Sequence, residues 1–347
     1  MNGYERVMSA LRLQVPDVIP VFEWSIDAKV VGALCGGTDV LDAVECLDLD
    51  GVVVRPDYTR RRLSADDYVD EWGVIRRKSG ESISLATRPP LADIGEYEGY
   101  VFPDPCAAWR FESLNLAVER FGSRKAVILN IRDVFSDIRD LVGYENALIA
   151  LLTRREQYDG LLRRCIEYNL ALARTARERY GIEVVVTTDD IADNRGLLFN
   201  PSIFFDFIGP RLREVIGELK ALGLYCIKHC DGDITDILDY LIESGIDCID
   251  PIDPTAGMKL DRIKSEYGSR VCIKGNVDCT STLLSGSTRE VEDAVRDCIR
   301  KAGGGGGYIL SSSNTIHSGV AAANFRTMVE AVHRYGRCHI GAEGISK

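Results

Sequence analysis

The chain alternates between two hydrophobic rhythms. Short, continuous apolar runs recur at 18–22, 51–54, 126–130, 183–188, 224–228, 246–249, 271–274 and 308–310. Each is rich in Val and Ile, too short for a typical globular helix, and reads as a strand buried on both faces. Longer stretches with apolar residues at helical spacing lie between them, at roughly 26–47, 133–180, 201–222, 233–244, 259–267, 288–302 and 321–335, after a lead helix over 3–13. Asn200 and Pro201 supply the cap and first position of one helix, and Gly245 closes another. Eight strand–helix units predict a parallel sheet with helices on its outer side, and at this length a (β/α)8 TIM barrel, a single domain over 1–347. No Gly-x-Gly-x-x-Gly opens a helix after the first strand, which removes the usual dinucleotide-binding alternative.

The rhythm breaks after the second strand, over 58–125. A basic run at Arg60 to Arg62 is followed by two alternating segments between Asp70 and Ala86, placed around Lys78-Ser79-Gly80-Glu81, which predict a hairpin. Pro89-Pro90 and Pro103-Asp104-Pro105 lead into a helix over 106–121. This stretch reads as an insertion lying over one face of the barrel, and as a surface through which a homodimer could form.

Composition narrows the setting. With 46% hydrophobic residues the chain can bury a large core, yet no apolar run approaches the ~20 residues of a membrane span, and the N-terminus has no signal-peptide core. The 11 cysteines form no CxxC pair, so reduced thiols and a cytoplasmic location are expected. A formal charge of −11 argues against nucleic acid or an anionic membrane as partner.

Barrel enzymes place their chemistry at the C-terminal ends of the strands. Here those ends carry Glu23, Arg55 and Asp57, Asn130 and Arg132, Asp189 and Asp190, His229 and Asp231, Asp250 and Asp253, Asn276 and Asp278, and Ser313 and Asn314 with His317. Two of the four histidines, His229 and His317, fall on this face; His333 and His339 lie on the last helix and the tail. Strand alternation puts His229 and Asp231 on one side and Cys230 on the other. Asp233 reads as the cap of the next helix, and Gly303 to Gly307, which precede the last strand, as a connection at the opposite end of the barrel.

Several of these segments resemble the uroporphyrinogen decarboxylase superfamily. They are Lys228-His229-Cys230-Asp231-Gly232-Asp233-Ile234, Gly245-Ile246-Asp247, Asp250-Pro251-Ile252-Asp253-Pro254, Lys274-Gly275-Asn276-Val277-Asp278 and Gly307-Tyr308-Ile309-Leu310-Ser311-Ser312-Ser313-Asn314, with Glu5 to Leu11 and Asp17 to Val21 at the start. The resemblance implies one of two chemistries on a (β/α)8 barrel. One is cofactor-free removal of acetate carboxyls from a tetrapyrrole; the other is corrinoid-dependent methyl transfer assisted by zinc. The decarboxylases carry Arg-Gln-Ala-Gly-Arg-Tyr near the first strand to grip carboxylates. This chain has Phe22-Glu23-Trp24-Ser25-Ile26-Asp27 there, and its barrel mouth reads as mainly acidic.

The zinc methyltransferases show His-x-Cys after strand five and a second Cys after strand eight. His229 matches, Asp231 stands at the Cys position, and Asn314 sits near the second Cys. The expectation is therefore methyl transfer between a small methyl ether or methylamine and a cobalamin-type corrinoid carried by a partner protein. Glu23, His229 and Asp231 would be the reactive core, holding Zn2+ or exchanging protons. Asp57, Asp189, Asp190, Asn276, Asp278, Asn314 and His317 would bind substrate. A carboxy-lyase acting on a tetrapyrrole, and a corrinoid or tetrapyrrole binder without turnover, are the alternatives.

Overall fold

The structure, a computed structural model, describes residues 1–81 and 84–337. Seven strands pair in parallel in the order Gly51–Val54, Ala126–Ile131, Val184–Thr188, Tyr225–His229, Cys248–Asp250, Cys272–Lys274, Tyr308–Ile309. The eighth apolar run, 18–22, completes the ring more loosely. Val21 bridges Leu310 in parallel, Leu310 N–H donates to the Pro20 carbonyl at 2.9 Å, and Asp50 N–H donates to the Val21 carbonyl at 2.8 Å. Two prolines in the neighbouring sequence, Pro16 and Pro20, explain why so little ladder forms there, since each removes a donor.

The period of two along each strand sorts the barrel into inside and outside. Phe22, Ile128, Val184, Val186, Ile227, Cys248, Cys272 and Ile309 pack together in the interior, closed from below by Val7, Met8 and Leu11 of the lead helix Gly3–Leu11. That helix starts with a reciprocal cap between Asn2 and Glu5. Gly3 allows it to approach the barrel, because a Cβ there would lie 2.8 Å from the Asp50 Cα. Alternate strand residues such as Val185, Cys226 and Ile249 face the outer helices instead. The interior is thus packed side chains, and only its upper rim is free for chemistry.

Helical stretches are shorter than their hydrophobic pattern predicts. The span 26–47 is two helices, Ala28–Cys35 and Val40–Cys46, parted at Gly36, which takes φ 76°. The span 133–180 is three, Ser136–Val142, Tyr144–Thr153 and Arg155–Tyr180. The insertion differs more. Besides the hairpin of Ile75–Arg77 with Leu85–Arg88, the strands Arg60–Arg62 and Asp67–Asp70 extend it to a four-stranded antiparallel sheet. Asp70 N–H donates to the Val74 carbonyl at 3.0 Å in the tight turn between the second and third strands. The loop Gly303 to Gly307 lies at the lower end, where Lys264 Nζ donates to the Gly306 carbonyl at 2.5 Å. His339 lies outside the described residues.

Candidate functional site

Two residues beyond an interior core residue, a strand side chain returns to the barrel axis one layer higher. Phe22 leads in this way to Trp24, Ile227 to His229, Cys248 to Asp250, and Cys272 to Lys274. These four meet at the rim. The His229 imidazole stacks on the Trp24 indole, with centroids 4.9 Å apart and planes 9° from parallel. His229 Nδ1 lies 2.8 Å from Asp250 Oδ2, and Lys274 Nζ donates to Asp250 Oδ1 at 2.8 Å. A carboxylate only accepts, so Nδ1 carries the hydrogen and Nε2 is the free nitrogen. Burial pulls Asp250 upward, but the Lys274 and His229 charges prevail and hold it below the usual carboxylate range. Burial likewise disfavours charged His229, and Asp250 outweighs it, raising the imidazole above its ordinary value.

His229 Nε2 faces Asp231 Oδ1 at 3.6 Å. Asp231 Oδ2 accepts from Asn314 Nδ2 at 2.5 Å, whereas Oδ1 is buried without a hydrogen-bond partner. Burial pushes the Asp231 carboxyl up to about 6, with His229 opposing and Asp190, Asp250 and Asp253 adding to the rise. Asp190 joins from the neighbouring strand end, its Oδ1 accepting the Asp231 N–H at 3.1 Å. One ligand atom each from Asp190, His229 and Asp231 falls within 4.8 Å of the others. A histidine, two carboxylates, an orphaned carboxylate oxygen and an imidazole anchored from behind by a carboxylate make a donor set that fits a divalent ion such as zinc.

Glu23 is placed elsewhere. Its Oε1 accepts the Ser312 N–H at 2.9 Å and its Oε2 the Ser312 hydroxyl at 2.6 Å. Burial lifts its carboxyl to about 7, with Lys274 the main opposing charge. Asp190, not Glu23, therefore stands as the third member of the ligand group.

The other residues expected at the pocket divide clearly. Asn314 reaches the site through Asp231. Asp189 does not. It has the outward parity of Val185, is fully buried, and accepts the amides of Val134, Phe135 and Ser136 at 2.5, 2.6 and 2.8 Å, at the start of helix Ser136–Val142. Asp57 lines the larger cavity, as expected, and its carboxylate also caps helix Glu112–Phe121 through Ser113, accepting its amide at 2.8 Å and its hydroxyl at 2.6 Å. Asp278 holds the turn at Thr280, and Asn276 Nδ2 donates to the Ile252 carbonyl at 2.7 Å. His317 spans the Cys279 carbonyl and the Gly319 amide, at 3.1 and 3.2 Å, so both its nitrogens are occupied by backbone. Trp24, Asp250 and Lys274 complete the site without having been chosen as site residues from the sequence, although their two-residue offset from interior apolar positions was there to be read.

Two cavities open on this rim. One of about 490 Å3 reaches Glu23; the other, of about 410 Å3, reaches Asp190. Both are walled by Trp24, Arg55 and Tyr58. Of the three residues of the group only Asp190 lines one of these cavities; His229 is buried, and the Asp231 side chain is 29% exposed. The mouth is not mainly acidic. Arg55, Arg76, Arg110, Arg132 and Arg139 line the smaller cavity against Asp70, Glu71, Asp137, Asp140 and Asp190. The extra cations come from the insertion and the helices, which the strand ends alone do not reveal.

A parallel eight-stranded barrel with a His–carboxylate group on its upper rim defines a TIM-barrel protein of enzyme type. The sequence profile of the family described as Uroporphyrinogen decarboxylase (URO-D) matches residues 76–335, and the chain belongs to that family. Among characterised relatives, methylcobamide:CoM methyltransferase MtbA of Methanosarcina acetivorans is 22% identical over 245 residues, covering 71% of this chain and 69% of that protein. Uroporphyrinogen decarboxylase of Myxococcus xanthus is 24% identical over 353 residues, covering 96% and 97%. A solved methyltransferase from Methanosarcina mazei superposes with a TM-score of 0.76 at 16% identity, over 96% of this chain and 99% of that one, which shows the shared fold. Among the described residues no helix is long and apolar enough to cross a membrane.

Proposed function

We propose that this chain is a corrinoid-dependent methyltransferase, moving a methyl group between a small O- or N-methylated substrate and a corrinoid held by a partner protein. The observation that carries this reading is the group Asp190, His229 and Asp231, with His229 oriented by Asp250 and one Asp231 oxygen left unpaired. It stands where the zinc methyltransferases of the superfamily carry His-x-Cys. The two positions that depart from that pattern, Asp231 and Asn314, are hydrogen-bonded to each other.

A zinc ion held by Asp190, His229 and Asp231 would supply Lewis-acid polarisation of a substrate oxygen or nitrogen. Carboxylate and imidazole donors without thiolate make a harder site, suited to oxygen rather than sulfur. The chain's own residues do the remaining work. Asp250 and Lys274 fix the His229 ring so that Nε2 faces Asp231. Trp24 shields the opposite face of that ring from water. For an ether, the partner's reduced corrinoid would supply the electron pair that takes up the methyl group, and the electrons of the C–O bond would remain on the substrate oxygen. The alkoxide left behind takes one proton from solvent to become the alcohol.

One observation favours the carboxy-lyase reading instead: the arginines of the smaller cavity. Their charge is mostly spent. Arg76 binds Asp70 and Asp140, Arg132 binds Asp137 and Asp140, and Arg110 binds Glu71. Such a wall offers little net field to a multiply anionic tetrapyrrole. The test is to mix the purified protein with methyl ethers or methylamines and cob(I)alamin and follow the corrin spectrum. Conversion that is lost in His229→Ala supports the reading. No conversion with any donor, or conversion that survives the substitution, overturns it.

A further inference from the structure

Five arginines and five carboxylates line the smaller cavity, and one of the arginines stands apart from the pairing. Arg76, Arg132 and Arg139 are each within 3.3 Å of a carboxylate oxygen, and Arg110 is paired with Glu71. Arg55 is different. Among the described residues no carboxylate lies within ion-pair distance of it; its guanidinium rests over the Trp24 ring, 4.6 Å from the centroid. It is solvent-accessible, yet protein surrounds it closely enough that burial lowers its pKa, helped by Arg132 and opposed only by Tyr58. Exposed at the mouth of both cavities and without a counter-charge, its guanidinium is free to take an anionic ligand.

Its placement says what would arrive. Arg55 follows strand Gly51–Val54 directly and lines both cavities, beside the indole that stacks on His229. A ligand ion-paired with Arg55 therefore lies along Trp24, with its remainder free to extend toward Asp190 in the smaller cavity. Arg60, in the larger cavity, adds a second cation held on the Tyr58 ring rather than on a carboxylate.

We propose that Arg55 is a specificity-determining residue, and that the methylated substrate is an organic anion whose carboxylate is bound by its guanidinium. This rests on the methyl-transfer reading above, and its test is a binding measurement that does not depend on turnover. The planar fork of Arg55 matches a carboxylate in two hydrogen bonds, while its contact with the Trp24 ring, 4.6 Å from the centroid, holds it at the cavity wall. Neutral analogues of the same shape would leave the guanidinium unpaired and lose about 10- to 100-fold in affinity.

Calorimetry with two isosteric pairs, methoxyacetate against methoxyacetamide and 4-methoxybenzoate against 4-methoxybenzamide, reads this directly. The wild-type chain should prefer at least one anion over its amide by about 10-fold or more. Arg55→Gln should abolish the preference, and Arg55→Lys, which keeps the charge but not the fork, should retain part of it. Equal affinity for acid and amide, no binding of either anion at millimolar concentration, or a preference intact in Arg55→Gln would overturn the proposal. Anion binding that is lost with Arg55, in a protein that fails to methylate cob(I)alamin, would sustain this site and remove the methyl-transfer reading alone.

Discussion

Asp250→Asn isolates the support beneath the site. Asp250 and Lys274 are 2% and 1% exposed, and Lys274 Nζ donates to Asp250 Oδ1 at 2.8 Å while Asp250 Oδ2 meets His229 Nδ1 at the same distance. Neutralising the carboxylate strands a buried ammonium beside an aromatic ring, with Lys274 Nζ 5.1 Å from the Phe22 centroid. Removing one partner of a buried ion pair costs about 3–5 kcal/mol. The midpoint of urea unfolding should fall accordingly at unchanged slope. Asp250→Asn combined with Lys274→Met removes both charges and should recover most of that loss, since an apolar replacement of a buried pair is often neutral. The same double variant still lacks the carboxylate behind His229, so its metal affinity should remain down by about 10- to 100-fold. Stability and ligand orientation would thus separate. A loss below about 1 kcal/mol in Asp250→Asn, a value typical of exposed pairs, would refute the claim that this hub is buried and tightly coupled.

Other consequences follow from individual groups. Glu23 has its carboxyl raised from 4.5 to about 7, so the folded chain holds that proton more tightly than the unfolded one. The sign follows from linkage: stability is greatest below pH 4.5, falls as pH rises to about 7, and levels off above that, by about 3 kcal/mol in all. Glu23→Gln should remove this slope, and a pH series of denaturation midpoints with the slope intact would contradict the assignment. Asp189→Ala should destabilise the chain by roughly 3 kcal/mol, because the amides of Val134, Phe135 and Ser136 lose their acceptor in a dry environment; a change within about 0.5 kcal/mol would return Asp189 to the candidate pocket.

The barrel was legible because its signal is one-dimensional. Eight short apolar runs, each followed by a helical stretch or by the insertion, identify the strands, and even the run at 18–22, which forms only isolated bridges, takes its expected place. Site residues needed parity as well as position. His229 was readable from both, since it ends its strand and shares the interior face of Ile227. Asp189 and Asp190 look equivalent as neighbours after Val184–Thr188, yet the alternation sends one under a helix and the other to the rim. Glu23 lies outside the His229 group for the same reason: Phe22 is interior, so Trp24 rather than Glu23 continues its face. His317 and Asp278 lie past the strand ends, where turn geometry consumes their polar atoms, and no periodicity foretells that. Arg55 and Arg132 of the smaller cavity were legible as strand-end residues, whereas Arg76, Arg110 and Arg139 were hidden because the insertion and a helix bring them in from outside that ring.

Metal content measured on the purified wild-type protein and three variants tests the central claim most directly. With Asp190, His229 and Asp231 as the ligand group, the wild type should hold one equivalent of zinc after dialysis against buffered metal. Asp190→Ala and His229→Ala should lose it, and Glu23→Ala, whose carboxylate is bound to Ser312, should keep it. A wild type that holds no divalent metal, or zinc that survives loss of Asp190 and His229, would contradict the account.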